Sequence, residues 1–178
     1  YFREGEHIVS IDDDIKEVCM LVDEKLEKVN DLNLFFETAF DNLVKHNLYL
    51  WGIYPVSNPF FMKSKEKETT SLKFIIGCLH GFIVRDNNFL LTNSKIECKE
   101  DYENSLLHYL MDGGVYRYNN ITVKTKFNAK GGLGECRHRM NEKAAAYLIE
   151  TYPDLITIFH RKNGMTEVRL RDSNLRRN

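Results

Sequence analysis

Several features that mark secreted, membrane-spanning or metal-ribbon proteins are absent from this sequence of 178 residues. The four cysteines are widely and irregularly spaced without a CxxC pair, which argues against a zinc ribbon or a thioredoxin-type site. No apolar run approaches the roughly 20 residues that a bilayer-spanning helix needs. Residues 1–6 lack the apolar stretch of a signal peptide. We therefore expect free thiols, no membrane partner and a cytoplasmic location.

An excess of charge of one sign is also absent, because 25 Lys and Arg residues face 26 Asp and Glu residues. Proteins that hold nucleic acid by bulk electrostatics usually present a strongly basic surface, so the composition disfavours that class and leaves only a local basic patch open. Large side chains are plentiful, with 11 Phe and 9 Tyr, which is enough for one sizeable core. We expect residues 1–170 to form a single α/β domain and residues 171–178 a basic tail.

Helix-type and strand-type patterns alternate along the chain. Apolar residues at helical spacing, with start and stop signals, predict helices over 15–29, 31–47, 100–111 and 142–151. Short β-branched or aromatic runs predict strands over 7–11, 48–54, 155–160 and 166–170, a long strand or a hairpin over 72–85, and two β-prone runs within 115–125. We expect residues 129–140 to form a glycine-rich loop and Asn141 to cap the last helix. The alternation predicts the α/β class with a mixed sheet.

Three successive aspartates, Asp12, Asp13 and Asp14, follow the first predicted strand. Like charges this close raise each other's pKa unless a cation neutralises them, and carboxylate oxygens suit Mg²⁺ or Mn²⁺. The open end of a strand in an α/β sheet is also where ligands tend to bind. The alternative is a solvated acidic loop in which Asp14 caps the next helix. The spacing alone does not separate the two readings.

Other candidate groups are less specific. Arg137, His138 and Arg139 lie in the predicted glycine-rich loop, where they could close over phosphates or simply form an exposed basic loop. A lone histidine such as His138 or His160 is more often structural than a metal ligand. Tyr54, together with Trp51, could form a stacking wall for a sugar or base, although core packing suits Trp51 better. Gly77 and Gly81 would let the backbone approach a ligand closely, but a bulge also explains them.

The order of these pieces resembles that of the GT-A glycosyltransferases. The acidic triplet is followed by Leu-Tyr-Leu-Trp-Gly-Ile-Tyr-Pro over 48–55, by Phe-Ile-Ile-Gly-Cys-Leu-His-Gly over 74–81 and by Glu-Asp at 100–101. The run Gly-Val-Tyr-Arg-Tyr-Asn-Asn-Ile-Thr-Val over 114–123, followed by two glycines at 131–132, makes the chain similar to the viral and TET-associated glycosyltransferase-like group. Members of that group are thought to glycosylate hydroxylated pyrimidines in DNA. For a viral member, the resemblance implies a location in the host cytoplasm or nucleus.

The resemblance implies roles for particular residues. Asp12 and Asp14 would bind a Mn²⁺ or Mg²⁺ ion, and Asp12 and Asp13 would contact the nucleotide-sugar donor, a UDP-hexose. On their own positions in the sequence, His138 is a candidate further metal ligand, and Gly77, Arg137 and Arg139 are candidate donor-binding residues. Asp101 matches the position of the catalytic base in inverting members. Without the resemblance, Asp101 would be read as an acidic residue favoured at a helix N-terminus.

The resemblance also implies that part of such an enzyme lies outside this chain. In a GT-A domain the metal-binding aspartates follow the first nucleotide-binding βαβ units, each of roughly 30 residues, whereas here they begin at Asp12. We expect a GT-A-like, Rossmann-like fold without its N-terminal units, which a preceding segment or a partner chain would supply. The expected activity is metal-dependent transfer of a hexose to a hydroxymethylated base in DNA. The alternatives are a protein or glycan acceptor, and a non-catalytic binding module.

Overall fold

The computed structural model describes residues 2–63, 65–93, 96, 98–125, 134–161 and 164–171, with the backbone alone for 134–138. Helices and strands alternate along the chain. The helices are α1 (Leu32–His46), α2 (Pro59–Met62), α3 (Glu100–Asp112) and α4 (Gly134–Thr151). The strands are β1 (His7–Ile11), β2 (Ile15–Val22), β3 (Lys25–Lys28), β4 (Leu50–Ile53), β5 (Glu68–Thr69), β6 (Leu79–Ile83), β7 (Tyr116–Tyr118), β8 (Ile121–Thr125), β9 (Ile156–His160) and β10 (Thr166–Leu170).

The main sheet has five strands in the order β1-β6-β4-β7-β5. Its β4 and β7 are parallel, and β6 runs antiparallel to both β1 and β4. The carboxyl ends of β1, β4 and β7 therefore meet the start of β6 at one edge of the sheet. This mixed sheet with helices confirms the α/β class, and the edge brings Asp12, Tyr54 and Cys78 to the same side of the molecule.

The predicted helix over 15–29 is wrong, because these residues form the hairpin β2–β3. Asp23 and Glu24 make its turn with φ of 46° and 62°, and β2 also pairs with β8 in a sheet of three strands. The apolar residues of this stretch fit either period, and pairing with β8 favours the strand. The two β-prone runs predicted over 115–125 are confirmed, although β7 and β8 belong to different sheets.

Two apolar clusters cover the two faces of the main sheet, because successive strand residues point to opposite faces. Trp51 packs on the α1 face with Phe35, and the preceding Leu50 packs on the other face with Leu106 and Leu148. The cluster on the second face is formed largely by α3, α4 and the β9–β10 hairpin. The second face is the one on which the candidate site lies.

Two further predictions need correction. The structure starts α4 at Gly134, so the predicted loop is wrong from 134 onward, and Asn141 lies inside the helix and donates to the carbonyl of Thr166. The strand predicted over 72–85 is regular only in β6, although Leu72 and Ile75 are buried in the core. None of the helices in the described ranges is long and apolar enough to cross a membrane.

Candidate active site at the sheet edge

A cavity of about 650 Å³ opens between the end of β1, the start of β6 and the start of α3. We call it the edge cavity. Its lining residues come from these elements and from the segment after the turn at 88–90: Asp12, Ile75, Ile76, Gly77, Cys78, His80, Leu90, Leu91, Thr92, Glu100, Asp101 and Asn104. Of the predicted site residues, Asp12, Gly77 and Asp101 therefore meet in one cavity although they lie far apart in the sequence.

The position of Asp12 follows from strand pairing. Ser10 is the register partner of His80, and the amide of Asp12 donates to the carbonyl of Cys78 over 2.9 Å. Because residues two apart in a strand share a face, Asp12 lies on the face of the sheet that carries Cys78 and His80. Asp12 and Asp13 are exposed, and Asp14 is half-buried in the turn before β2.

The carboxylates of Asp12 and Asp14 both act on the Cys78 thiol. Burial, followed by these two negative charges, raises the pKa of Cys78 to about 11. The thiol is therefore protonated near neutral pH and is a poor nucleophile. Both carboxylates therefore lie within electrostatic range of this thiol, although only Asp12 lines the cavity.

No ready-made metal site of three or more His, Cys, Asp or Glu side chains occurs within the described ranges. Asp12 in the cavity lining and Asp14 in the same turn still suit a hard divalent cation, because Mg²⁺ is commonly bound by one or two carboxylates and completed by phosphate and water oxygens. The donor set of Asp12 and Asp14 fits an ion that arrives together with a diphosphate better than one held by the protein alone.

Asp101 is the second residue of α3 and is half-buried against the cavity wall. Its carboxylate accepts a hydrogen bond from the amide of Tyr102 at 3.0 Å, and the nearby amide of Gly77 also favours its charged form. Burial, with a smaller contribution from Glu100, raises the pKa of Asp101 to about 6, although these two amides and Lys99 oppose the rise. A carboxylate with this pKa can accept a proton near neutral pH.

Of the two glycines that the sequence singled out, only Gly81 lies where a side chain would not fit. A methyl group at Gly77 would lie 3.7 Å from the Cβ of Asp101, an ordinary contact, so Gly77 brings its backbone to the catalytic candidate without being crowded. A methyl group at Gly81 would overlap the indole of Trp51. Gly81 is therefore explained by core packing on the α1 face and not by a ligand.

Ser105 is a residue of this site that sequence reasoning missed. Its side chain is fully buried, its hydroxyl donates to the carbonyl of Asp101 at 2.7 Å, and its oxygen accepts from the amide of Ile75 at 2.9 Å. These two hydrogen bonds connect the cavity wall at 75–77 to the first turn of α3. A serine inside a helix has no distinctive signal in the sequence, so only the structure identifies it.

His80 was also missed, and it lines the cavity beside Asp12. Its Nδ1 donates to the carbonyl of Gly77 at 3.0 Å, and burial lowers the pKa of the ring. The imidazole is therefore neutral near pH 7 and forms a polar part of the cavity lining. The one available signal was its place in the Leu-His-Gly segment that follows Gly77.

Among the side chains that the structure describes, the other predicted site residues, Asp13 and Asp14 included, are not part of the cavity lining. Arg139 is exposed on α4 and is not among the lining residues, while the side chains of Arg137 and His138 lie outside the described residues. Trp51 is fully buried, as core packing required. His160 is exposed at the end of β9, where its ring contacts the hydroxyl of Thr166.

Searches of this sequence against known protein families, curated proteins and solved structures give no match.

Proposed function

We propose that this chain is the metal-binding and acceptor-side part of a glycosyltransferase that moves a hexose from a nucleotide sugar to a hydroxyl group. The observation that carries the proposal is the convergence of Asp12 and Asp101 on the edge cavity, with the pKa of Asp101 raised to about 6. One carboxylate is then placed for a metal-bound diphosphate and the other for an acceptor hydroxyl. This division of labour is what an inverting transfer needs.

In this proposal Asp101 removes the proton of the acceptor hydroxyl while the oxygen of that hydroxyl forms a bond to the anomeric carbon of the sugar. The bond from that carbon to the diphosphate breaks at the same time, and the electron pair leaves with the diphosphate. A Mn²⁺ or Mg²⁺ ion held by Asp12 and Asp14 would supply charge neutralisation for the departing group. Gly77 supports the geometry, because its amide holds the Asp101 carboxylate at the cavity wall.

The strand arrangement also supports the proposal. Parallel β1 and β4 place the acidic turn and the segment after Ile53 at one edge, and the helix that carries Asp101 covers the same edge. We include a GT-A-like fold in the proposal on this basis. The donor is proposed to be UDP-hexose and the acceptor a hydroxymethylated base in DNA, both on the family resemblance of the sequence.

The test uses the chain together with any segment that precedes residue 1 in the whole protein. UDP-glucose and Mn²⁺ are supplied with an oligonucleotide carrying a hydroxymethylated pyrimidine, and UDP release and acceptor mass are measured. Asp101→Asn should lower transfer by about 10²- to 10⁴-fold, the usual contribution of a general base, with donor binding nearly unchanged. Asp14→Asn should weaken Mn²⁺-dependent donor binding as well as transfer.

Asp23→Asn is the matched control, because Asp23 is an exposed acid in the β2–β3 turn. It should leave donor binding and transfer unchanged. Transfer at the wild-type rate in Asp101→Asn would remove Asp101 as the base. Transfer to a protein or glycan in place of the oligonucleotide would redirect the acceptor class. Absence of both transfer and Mn²⁺-dependent nucleotide binding would leave the non-catalytic module as the better explanation.

A further inference from the structure

Lys99, the residue immediately before α3, has a backbone conformation that side-chain-bearing residues rarely adopt. Its φ of 65° and ψ of 20° lie in the left-handed region, which is costly for any residue with a Cβ atom. No side-chain hydrogen bond caps the helix there, and the carbonyl of Lys99 accepts from the amides of Tyr102 and Glu103. Because Asp101 follows two residues later, the backbone turn at Lys99 sets the direction in which Asp101 projects.

The side chain of Lys99 is held by the C-terminal hairpin. Its Nζ lies 3.3 Å from Oε2 of Glu167 on β10, and the two side chains are only 8% and 13% exposed. The second oxygen of Glu167, Oε1, lies 3.0 Å from Nε of Arg161. A shielded pair of this kind is hard to break, because removing one partner leaves the other charge poorly solvated.

An aromatic layer connects Lys99 to the wall of the edge cavity. The Nζ of Lys99 lies 5.4 Å from the ring centroid of Tyr102, and this ring stacks on Phe74 at 4.1 Å with an interplanar angle of 23°. Phe74 is followed directly by Ile75 and the cavity wall at 75–77. Through Tyr102 and Phe74, the side chain of Lys99 is therefore linked both to the start of α3 and to the cavity wall.

Docking of the hairpin does not by itself require this ion pair. Val168 of β10 and Ile156 of β9 are buried with Ala145 and Leu148 of α4, so the hairpin has its own apolar attachment. The ion pair instead joins the hairpin to the one helix start that carries Asp101. Together with the unfavourable backbone at Lys99, this favours a role in placing that residue.

We propose that the Lys99–Glu167 ion pair is a positioning device that holds the first turn of α3, and with it the Asp101 carboxylate, against the amide of Gly77. Only the consequence for transfer rests on the proposed function, since the placement of Asp101 can be measured without it. Glu100 and Lys99 are the charged groups that face Asp101 from its own helix start, and Asp12 and His80 line the same cavity.

The decisive variant is Glu167→Gln, studied by carbon-13 NMR titration of the Asp101 carboxyl and by the amide shift of Gly77. Loss of a negative charge alone would lower the pKa of Asp101. Movement of Asp101 away from the amide of Gly77 would raise it, because that amide lowers the pKa in the folded protein. We expect the pKa to rise and the Gly77 amide to stop following the titration. Transfer should fall on the order of 10- to 100-fold with the donor KM nearly unchanged, as misplacement of a reacting group predicts.

Lys99→Gly keeps the test decisive if Glu167→Gln does not fold. Glycine adopts the backbone of Lys99 without strain, so this variant removes the tether and preserves the turn. The Gly77 amide should again lose its response, and Lys99→Arg should restore it. Glu150→Gln, an exposed change on α4, should alter neither measurement.

A Gly77 amide that still follows the Asp101 titration in both Glu167→Gln and Lys99→Gly would overturn the proposal. If the wild-type chain shows no transfer, the proposed function fails, and the two NMR measurements alone decide the positioning role.

Discussion

At the scale of the residue, the ionisation of Asp101 links the fold to the proposed chemistry. The pKa of this carboxyl is about 6 in the folded protein, above its ordinary value of 3.8, chiefly because of burial. Between these two pH values the folded state binds more protons than the unfolded chain does. The contribution of Asp101 to stability is therefore highest in acid and is lost as pH rises through about 6. The ionised carboxylate, which is the form that can accept a proton, therefore destabilises the folded protein.

Asp101→Asn should therefore match or exceed the wild type in stability at pH 7. The gain should be up to about 2 kcal/mol, since one pKa unit corresponds to about 1.4 kcal/mol. It should stay below the full value of the pKa shift because the Asp101 side chain is only half-buried. The gain should shrink as pH falls from about 6 to about 4. Urea unfolding at several pH values measures it. A variant that is less stable at pH 7 by more than about 1 kcal/mol would mean that the ionised carboxylate stabilises the fold.

At the scale of the element, α1 is the helix that the sequence specified most completely. Asp31 accepts from the amide of Leu34 at 2.9 Å as the N-cap, and Asn47 ends the helix in the left-handed conformation with φ of 53°. Phe35, Ala39 and Leu43 recur at helical spacing and are buried. Caps and periodicity therefore agree, and the predicted boundaries of 31–47 are confirmed within a residue at each end. By contrast, α4 starts at Gly134, earlier than the capping signal at Asn141 indicated.

Asp31→Ala should lower the free energy of unfolding by about 1 kcal/mol, because the first turn of α1 loses its side-chain acceptor. Asp41→Ala is the matched control, since Asp41 is exposed in the middle of the same helix, and it should be neutral or slightly stabilising. Thermal or urea unfolding measures both. Equal effects of the two changes would show that Asp31 does not act as a cap.

At the scale of the whole molecule, the main sheet separates two apolar clusters that the chain builds from alternating residues. Ile53 is fully buried on the α1 face, and Ile156 is buried among α3, α4 and the β9–β10 hairpin. The edge cavity lies on the second face, where Asp101 of α3 lies beside the end of β1 and the start of β6. We therefore expect a substitution in the cluster around α1 to affect the candidate site only if it shifts the strands of the sheet that lie between them.

Ile53→Val and Ile156→Val should each cost about 0.5–1.5 kcal/mol, as expected for one buried methyl group. Because the residues belong to different clusters, the double variant should cost the sum within about 0.5 kcal/mol. Urea unfolding of the two single variants and the double variant tests this. A coupling energy clearly larger than that would mean that the two faces repack together.

The residues of the candidate site divide by how the sequence could reveal them. Asp12 and Asp14 stand out because an acidic triplet after an apolar strand is unusual, and Asp101 stood out only through the order of motifs in the family resemblance. His80 and Ser105 carry no such signal, since a histidine in a strand and a serine in a helix have many ordinary roles. The contacts of His80 with Gly77 and of Ser105 with Asp101 are local, but the Ser105 hydroxyl also accepts from the amide of Ile75, 30 residues away in the sequence, and only the fold brings these two together.

The sequence by itself determined, besides the α/β class, several local features of this protein: the extent of α1, the strand before Asp12 and the end of α3 before Gly113. Each of these depends on neighbours a few residues apart. Tertiary structure decided whether 15–29 became a helix or the β2–β3 hairpin, since its apolar spacing suits both and β8 supplies the pairing. It also decided the pKa of Asp101, because burial against 75–77 raises it and no local pattern encodes that contact.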